Sequence, residues 1–231
     1  MTADDIGRVL ALARPEILAL DPYRHASADH SLQRLHANES PWAPPFASET
    51  DAADATVPSR PRTPLNRYPP PQPPALAAAL AEAWGVEARQ ILIGRGSDEG
   101  IDLLTRAFCA AGRDSVVTCP PTFGMYAVAA RIQGAAVQAV PLRADAGFSL
   151  DVPGIVAALD AGAKIVWLCT PNNPTGNALA RGDIEQLIQA SAGRALLTID
   201  EAYAEFADAP AWTREVARHP SEFIRFYRRV V

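Results

Sequence analysis

Four short stretches carry side chains suited to a small, anionic, aromatic ligand, and each follows an apolar run. Behind QILIG, Gly96 permits a tight turn, and Ser97, Asp98 and Glu99 open the helix-like segment GRGSDEGIDLL. Exposed N–H groups at a helix start bind phosphate, and Ser97 serves equally as an ordinary N-cap. Behind SVVTC, two prolines stiffen the backbone ahead of Phe123, whose ring can stack on a planar group or pack in a core. Behind KIVWLC, Asn173 precedes a proline in TPNNPTG. Its amide can donate to an anionic ring oxygen, and the same residues can form a turn that only caps the next helix. Behind ALLTI, Asp200 follows at once and Tyr203 comes three residues on, in DEAYAEF. A carboxylate there can hold a protonated ring nitrogen and a phenol can share the oxygen, with a helix N-cap as the alternative for Asp200.

These residues need a frame. The apolar runs at 90–94, 115–119, 136–140, 164–169 and 195–199 have the length of fully buried strands, and helix-period segments lie between several of them, such as GMYAVAARIQG and ARGDIEQLIQASAG. Strands spaced by helices predict an α/β domain with a mainly parallel sheet and flanking helices. In such sheets ligands bind outside the carboxyl ends of the strands, where the four stretches fall. Residues 5–20 have the spacing of a short amphipathic helix that Pro15 interrupts, and PPALAAALAEAWG reads as a helix with proline in its first turn. Prolines crowd the chain from Pro41 to Pro74 and exclude a regular core element there. The chain therefore divides into an N-terminal arm (1–40), a proline-rich excursion (41–74), a large domain (75–210) and a tail (211–231).

Composition narrows the function. A net charge of −5 and a pI near 5.4 leave no basic footprint for nucleic acid or an anionic membrane. The N-terminus has neither the charge pattern of a secretory signal nor the length of a spanning segment, so a cytoplasmic protein is expected. Cys109, Cys119 and Cys169 are odd in number and lack ligand spacing, which predicts reduced packing residues. His25, Asp29 and His30 lie close in sequence, but an arm beside a proline-rich segment is no rigid metal site, and no metal is expected. Of the 21 basic residues only Lys164 is a lysine, so side-chain amine chemistry falls on that residue.

Taken together, the four stretches supply a phosphate cradle, a stacking ring, an oxygen partner and a pyridinium partner, the set that pyridoxal 5′-phosphate needs. With LHANESPW and NRYP, the motifs GRGSDEGIDLL, CPPTFGMY, TPNNPTG and DEAYAEF resemble, in order over residues 20–208, the fold-type I pyridoxal-phosphate aminotransferases, and among them most closely the histidinol-phosphate aminotransferases. The resemblance implies that Ser97 and Asp98 bind the phosphate, Phe123 stacks on the ring, Asn173 and Tyr203 meet the ring oxygen, and Asp200 keeps the ring nitrogen protonated. It implies that Tyr68 reaches a phosphate in the neighbouring subunit of a homodimer, and that Tyr23 and Asn38 contact substrate. It also implies amino transfer between L-histidinol phosphate and 2-oxoglutarate, small-molecule partners both, in histidine biosynthesis. Another aminotransferase of class I or II shares the same cofactor set.

The resemblance ends after DEAYAEF, where the family continues to a Ser-Lys motif and a smaller domain. Residues 211–231 contain no lysine, which predicts a large domain incomplete at its C-terminus and, as an alternative function, a catalytically inactive fragment. Lys164 is no substitute, since strand geometry puts it roughly 20 Å from the far end of its own strand.

Overall fold

Alternation along the strands dictates the core. Our computed structural model describes residues 3–23, 38–42, 66–208, 212 and 223–226. Its sheet contains β1 (Ser115–Thr118), β2 (Ala136–Ala139), β3 (Ile165–Cys169), β4 (Leu196–Asp200) and β5 (Phe223–Phe226) in the order β2-β1-β3-β4-β5, with every pairing parallel. Successive strand side chains face opposite ways. Thus Val116, Ile165, Trp167 and Leu196 join one apolar cluster, and Val117, Val166, Leu168, Leu197 and Ile199 join another on the opposite face. Every residue of β1, β3 and β4 is buried, whereas β2 at the edge is partly open.

Helices cover both faces, as parallel strands require. On the first face lie α1 (Ala3–Leu12), α4 (Ser97–Phe108) and α5 (Met125–Gln133), contributing Leu12, Ile101, Phe108, Tyr126, Ala129 and Ala130. On the second lie α6 (Val152–Asp160) and α7 (Arg181–Ser191), contributing Ile155, Leu159, Ile184, Leu187 and Ile188. Asp151 caps α6 by accepting from the Gly154 amide, and the left-handed Gly134 ends α5. The order of the strands reverses at β1, whose neighbours are β2 and β3, and such a switch point opens a crevice at the carboxyl ends.

Two compact units divide the chain: residues 1–20, 84–86 and 94–231 in the first, and 21–83 with 87–93 in the second. The sheet belongs to the first. In the second unit, Glu39 accepts from the Arg67 guanidinium (3.0 Å) and the Tyr68 amide (2.8 Å), and Asn66 donates to the Ser40 carbonyl (2.8 Å), tying NES to NRY. Helix α3 (Pro74–Trp84) forms where the alanine-rich segment predicts it. The short α2 (Pro15–Leu18) begins at Pro15, which separates it from α1.

The expected strand at 90–94 is corrected. Residues 88–90 form a 3-10 turn, and 91–94 pair with no strand among the described residues. Instead the Gln72 side chain occupies both ladder groups of Ile93, accepting from its amide (2.7 Å) and donating to its carbonyl (3.1 Å). Leu92 is 72% exposed, so an apolar run alone lacks the partner that makes a strand. Conversely, β5 arises inside the segment taken as the tail. The histidine-bearing stretch 25–30 and most of the proline-rich excursion lie outside the described residues.

Leu197, fully buried in central β4, tests this architecture. Leu197→Ala is expected to cost about 2–5 kcal/mol in urea unfolding, and Val137→Ala on the edge strand clearly less.

Candidate functional site

Three loops and one helix start converge at the carboxyl end of the sheet. Ser97, Phe123, Cys169, Asn173, Asp200, Ala202 and Tyr203 line one cavity there. Five of these are residues singled out from sequence: Ser97, Phe123, Asn173, Asp200 and Tyr203. Asp98, the second residue of α4, is exposed and outside this lining. Tyr23, Asn38 and Tyr68 belong to the second unit and are exposed.

Each side chain is placed by a local cause. Gly96 adopts φ +88° at the N-cap of α4, a conformation that glycine takes without strain, so Ser97 is the first helical residue and does not cap the helix with its side chain. Glu99 folds back over the turn and accepts from the Arg95 amide (2.6 Å) and guanidinium (3.0 Å), which hold its carboxyl below the usual range. The helix start is thereby fixed with Ser97 facing the cavity.

Asn172 couples the next two loops. Its Oδ1 accepts from Thr122 Oγ1 (2.9 Å), its Nδ2 donates to the Pro121 carbonyl (2.8 Å) and to Thr175 Oγ1 (2.6 Å), and its carbonyl accepts from the Gly176 amide (2.7 Å). Phe123 and Asn173, each next to a member of this network, are thus held in register. Asn173 lines the cavity.

Asp200 ends β4 with only 2% exposure. Its Oδ2 accepts from the Tyr126 hydroxyl (2.8 Å) and its Oδ1 from the Ala202 amide (3.0 Å). Tyr126 is fully buried, stacks on Trp167 (ring centroids 5.1 Å, 4° between planes) and meets Phe123 edge-on (5.6 Å, 81°). Burial, then the Asp200 charge, pushes its phenol far up, so it donates and does not ionise. Sequence reasoning missed Tyr126 and Asn172, although each stands in a quoted motif, Tyr126 at the end of CPPTFGMY and Asn172 directly before Asn173. Cys169, expected as a reduced packing residue, is free and buried in the apolar cluster and also lines the cavity.

Lys164 precedes β3 and exchanges backbone hydrogen bonds with Ser115 and Leu196 at the sheet's amino edge. Its charge acts on Asp114 and Cys109 there. The cavity lies at the other end of β3, and no lysine lines it.

Residues 43–224 match the family described as aminotransferase class I and II. The chain belongs to that family. It is 48% identical over 207 residues to the histidinol-phosphate aminotransferase of Xanthomonas euvesicatoria, covering 88% of this chain and 53% of that protein. Against the histidinol-phosphate aminotransferase of Stenotrophomonas maltophilia it is 47% identical over 219 residues, 93% of this chain and 57% of that one. The crystal structure of histidinol-phosphate aminotransferase from Sinorhizobium meliloti in complex with pyridoxal-5′-phosphate superposes with a TM-score of 0.61 at 27% identity, over 69% of this chain and 44% of that one. The chain thus spans about half the length of the curated relatives it matches. Its sheet is that of the fold-type I transferases, and no helix among the described residues is long and apolar enough to cross a membrane.

All three cysteines are buried and free. Burial first and the Asp200 charge second raise the Cys169 thiol from 9.0 to about 11. A group that binds its proton more tightly when folded contributes stability below its unfolded value and loses it as pH rises. Folding stability is therefore expected to fall between pH 9 and about 11 as unfolded thiols ionise. Iodoacetamide at neutral pH is expected to label Cys169 at least about tenfold more slowly in the folded chain than in urea, read by mass spectrometry of the peptide.

Proposed function

We propose that the chain binds pyridoxal 5′-phosphate in the cavity at the carboxyl ends of β1, β3 and β4, and that residues 75–210 act as the cofactor-binding large domain of an aminotransferase. The carrying observation is a buried, doubly hydrogen-bonded carboxylate beside an aromatic face, an amide, a phenol and a helix start. That donor set fits the cofactor. Asp200 would hold a proton at the ring nitrogen, Phe123 would cover one ring face against water, and Asn173 and Tyr203 would hydrogen-bond the ring oxygen. Ser97 and the first amides of α4 would take the phosphate, aided by the helix dipole; Asp98, on the first turn of the same helix, belongs to this phosphate-binding reading.

The relatives are named histidinol-phosphate aminotransferases, and our reading extends to amino transfer from L-histidinol phosphate to 2-oxoglutarate in histidine biosynthesis, in a cytoplasmic homodimer. Tyr23 and Asn38 would touch substrate, and Tyr68 would reach the neighbouring subunit's phosphate. The difficult event in such a reaction is loss of the proton from the amino-bearing carbon. Pyridoxal phosphate with a protonated ring nitrogen supplies, when bound, an electron sink for that carbon. The task of this chain's own residues is to keep that nitrogen protonated, orient the ring and exclude water.

A second reading rests on one observation: the single lysine stands at the opposite end of β3 from the cavity. In that reading the chain binds the cofactor without catalysing transfer. Fluorescence titration with pyridoxal 5′-phosphate and with pyridoxal tests binding. The phosphate form is expected to bind at least about tenfold more tightly, since charge-assisted hydrogen bonds are the strong ones, and Asp200→Ala is expected to weaken it. Equal affinity for the two ligands, or none, overturns the cofactor reading. Glutamate formation from L-histidinol phosphate and 2-oxoglutarate by the loaded chain overturns the second reading.

A further inference from the structure

Tyr126 has no part in the roles assigned above, yet it touches two residues that do. We propose that Tyr126 is a positioning residue that, acting through Asp200, keeps the shared proton on the cofactor's ring nitrogen while its ring fixes the stacking face of Phe123. The inference rests on the pyridoxal-phosphate reading.

The argument is one of proton location. Between a pyridine nitrogen and a carboxylate one proton has two resting places, giving either a pyridinium facing a carboxylate or a neutral pyridine facing a carboxylic acid. In a buried site the neutral pair gains, because desolvation penalises charge. A donor to the carboxylate stabilises the ionic pair alone. Asp200 has such donors on both oxygens, the Ala202 amide on Oδ1 and the Tyr126 hydroxyl on Oδ2. The amide is backbone and present whatever the sequence, so the phenol is the adjustable member.

Its surroundings suit that task. The ring is clamped between Trp167, stacked with 4° between planes, and the edge contact to Phe123 at 81°. The hydroxyl cannot swing off Oδ2 without moving Trp167 and Phe123 together. The other titratable group against the phenol, the Cys169 thiol, stays neutral at physiological pH. One buried side chain therefore sets both the axis of the proton and the plane of the ring.

The test uses pyridoxal 5′-phosphate labelled with nitrogen-15 in the ring, bound to the full chain, its resonance followed through a pH titration. Asp200→Asn supplies the neutral-pyridine reference. Tyr126→Phe keeps the ring stack and removes the hydroxyl. Its titration midpoint is expected to fall by about one pH unit, the tenfold change that loss of one hydrogen bond to a charged group produces, with near-UV circular dichroism unchanged. A midpoint identical to wild type overturns the inference and leaves the cofactor reading standing. Failure of the wild-type chain to bind the label, or a wild-type resonance equal to that of Asp200→Asn, overturns both. Where Tyr126→Phe does not fold, 3-fluorotyrosine at position 126, a stronger donor of nearly the same shape, must raise the midpoint, and an unmoved midpoint overturns the inference.

Discussion

The site depends on keeping one carboxylate buried. Asp200 ends a strand whose every residue is inside the molecule, and a charge there is tolerated only when its oxygens are hydrogen-bonded. The Ala202 amide and the Tyr126 hydroxyl meet that need. Much else follows from holding those two donors in place. The backbone turns sharply after β4 so that Ala202 can reach back, and α5 packs on the sheet at the level where its second residue meets the end of β4. Trp167 lies flat beneath the phenol to fix its tilt.

Strand order supplies the opening in front of that carboxylate. With β2 and β3 on either side of β1, the connections leave the sheet toward opposite faces, and the loops after β1 and β3 part instead of closing over each other. Asn172 then prevents them from parting too far. Its three side-chain hydrogen bonds join the Pro121–Thr122 backbone and hydroxyl to the Thr175 turn. The cavity is thus a crevice that the fold opens and one asparagine limits, so the spacing of Phe123 and Asn173 follows from a polar bond between loops more than from apolar packing.

The central strands were legible because they are short, apolar and spaced by helical segments, and four of the five sequence candidates became β1 to β4. The candidate at 90–94 failed for a reason that no window of sequence contains: a strand needs an edge to join, and Ile93 meets the Gln72 side chain instead. The fifth strand was missed for the mirror reason, since FIRF carries a charge that reads as tail until β4 offers it an edge. Cavity residues were legible where a residue type matched a chemical task at a strand end. Tyr126 was not, because a tyrosine on an apolar helix face looks like core, and its role appears only when α5 is laid against the end of β4. Asn172 was hidden by its neighbour: of two adjacent asparagines, sequence alone does not say which joins the loops and which lines the cavity.

Parallel strands also give every residue a fixed end. All amino ends lie on one side of the sheet and all carboxyl ends on the other, so a residue that opens a strand and one that closes it stand apart by the strand's full length. Lys164 stands immediately before β3, bonded through its backbone to Ser115 at the start of β1 and Leu196 at the start of β4, with Asp114 as its charged neighbour. Asp200 closes β4, and Asn173 and Phe123 lie past the closing ends of β3 and β1. No rotamer of the lysine alters that separation, because it is set by the register of three buried strands and not by the side chain. The same register that gathers the cavity residues on one side therefore keeps the chain's only lysine on the other.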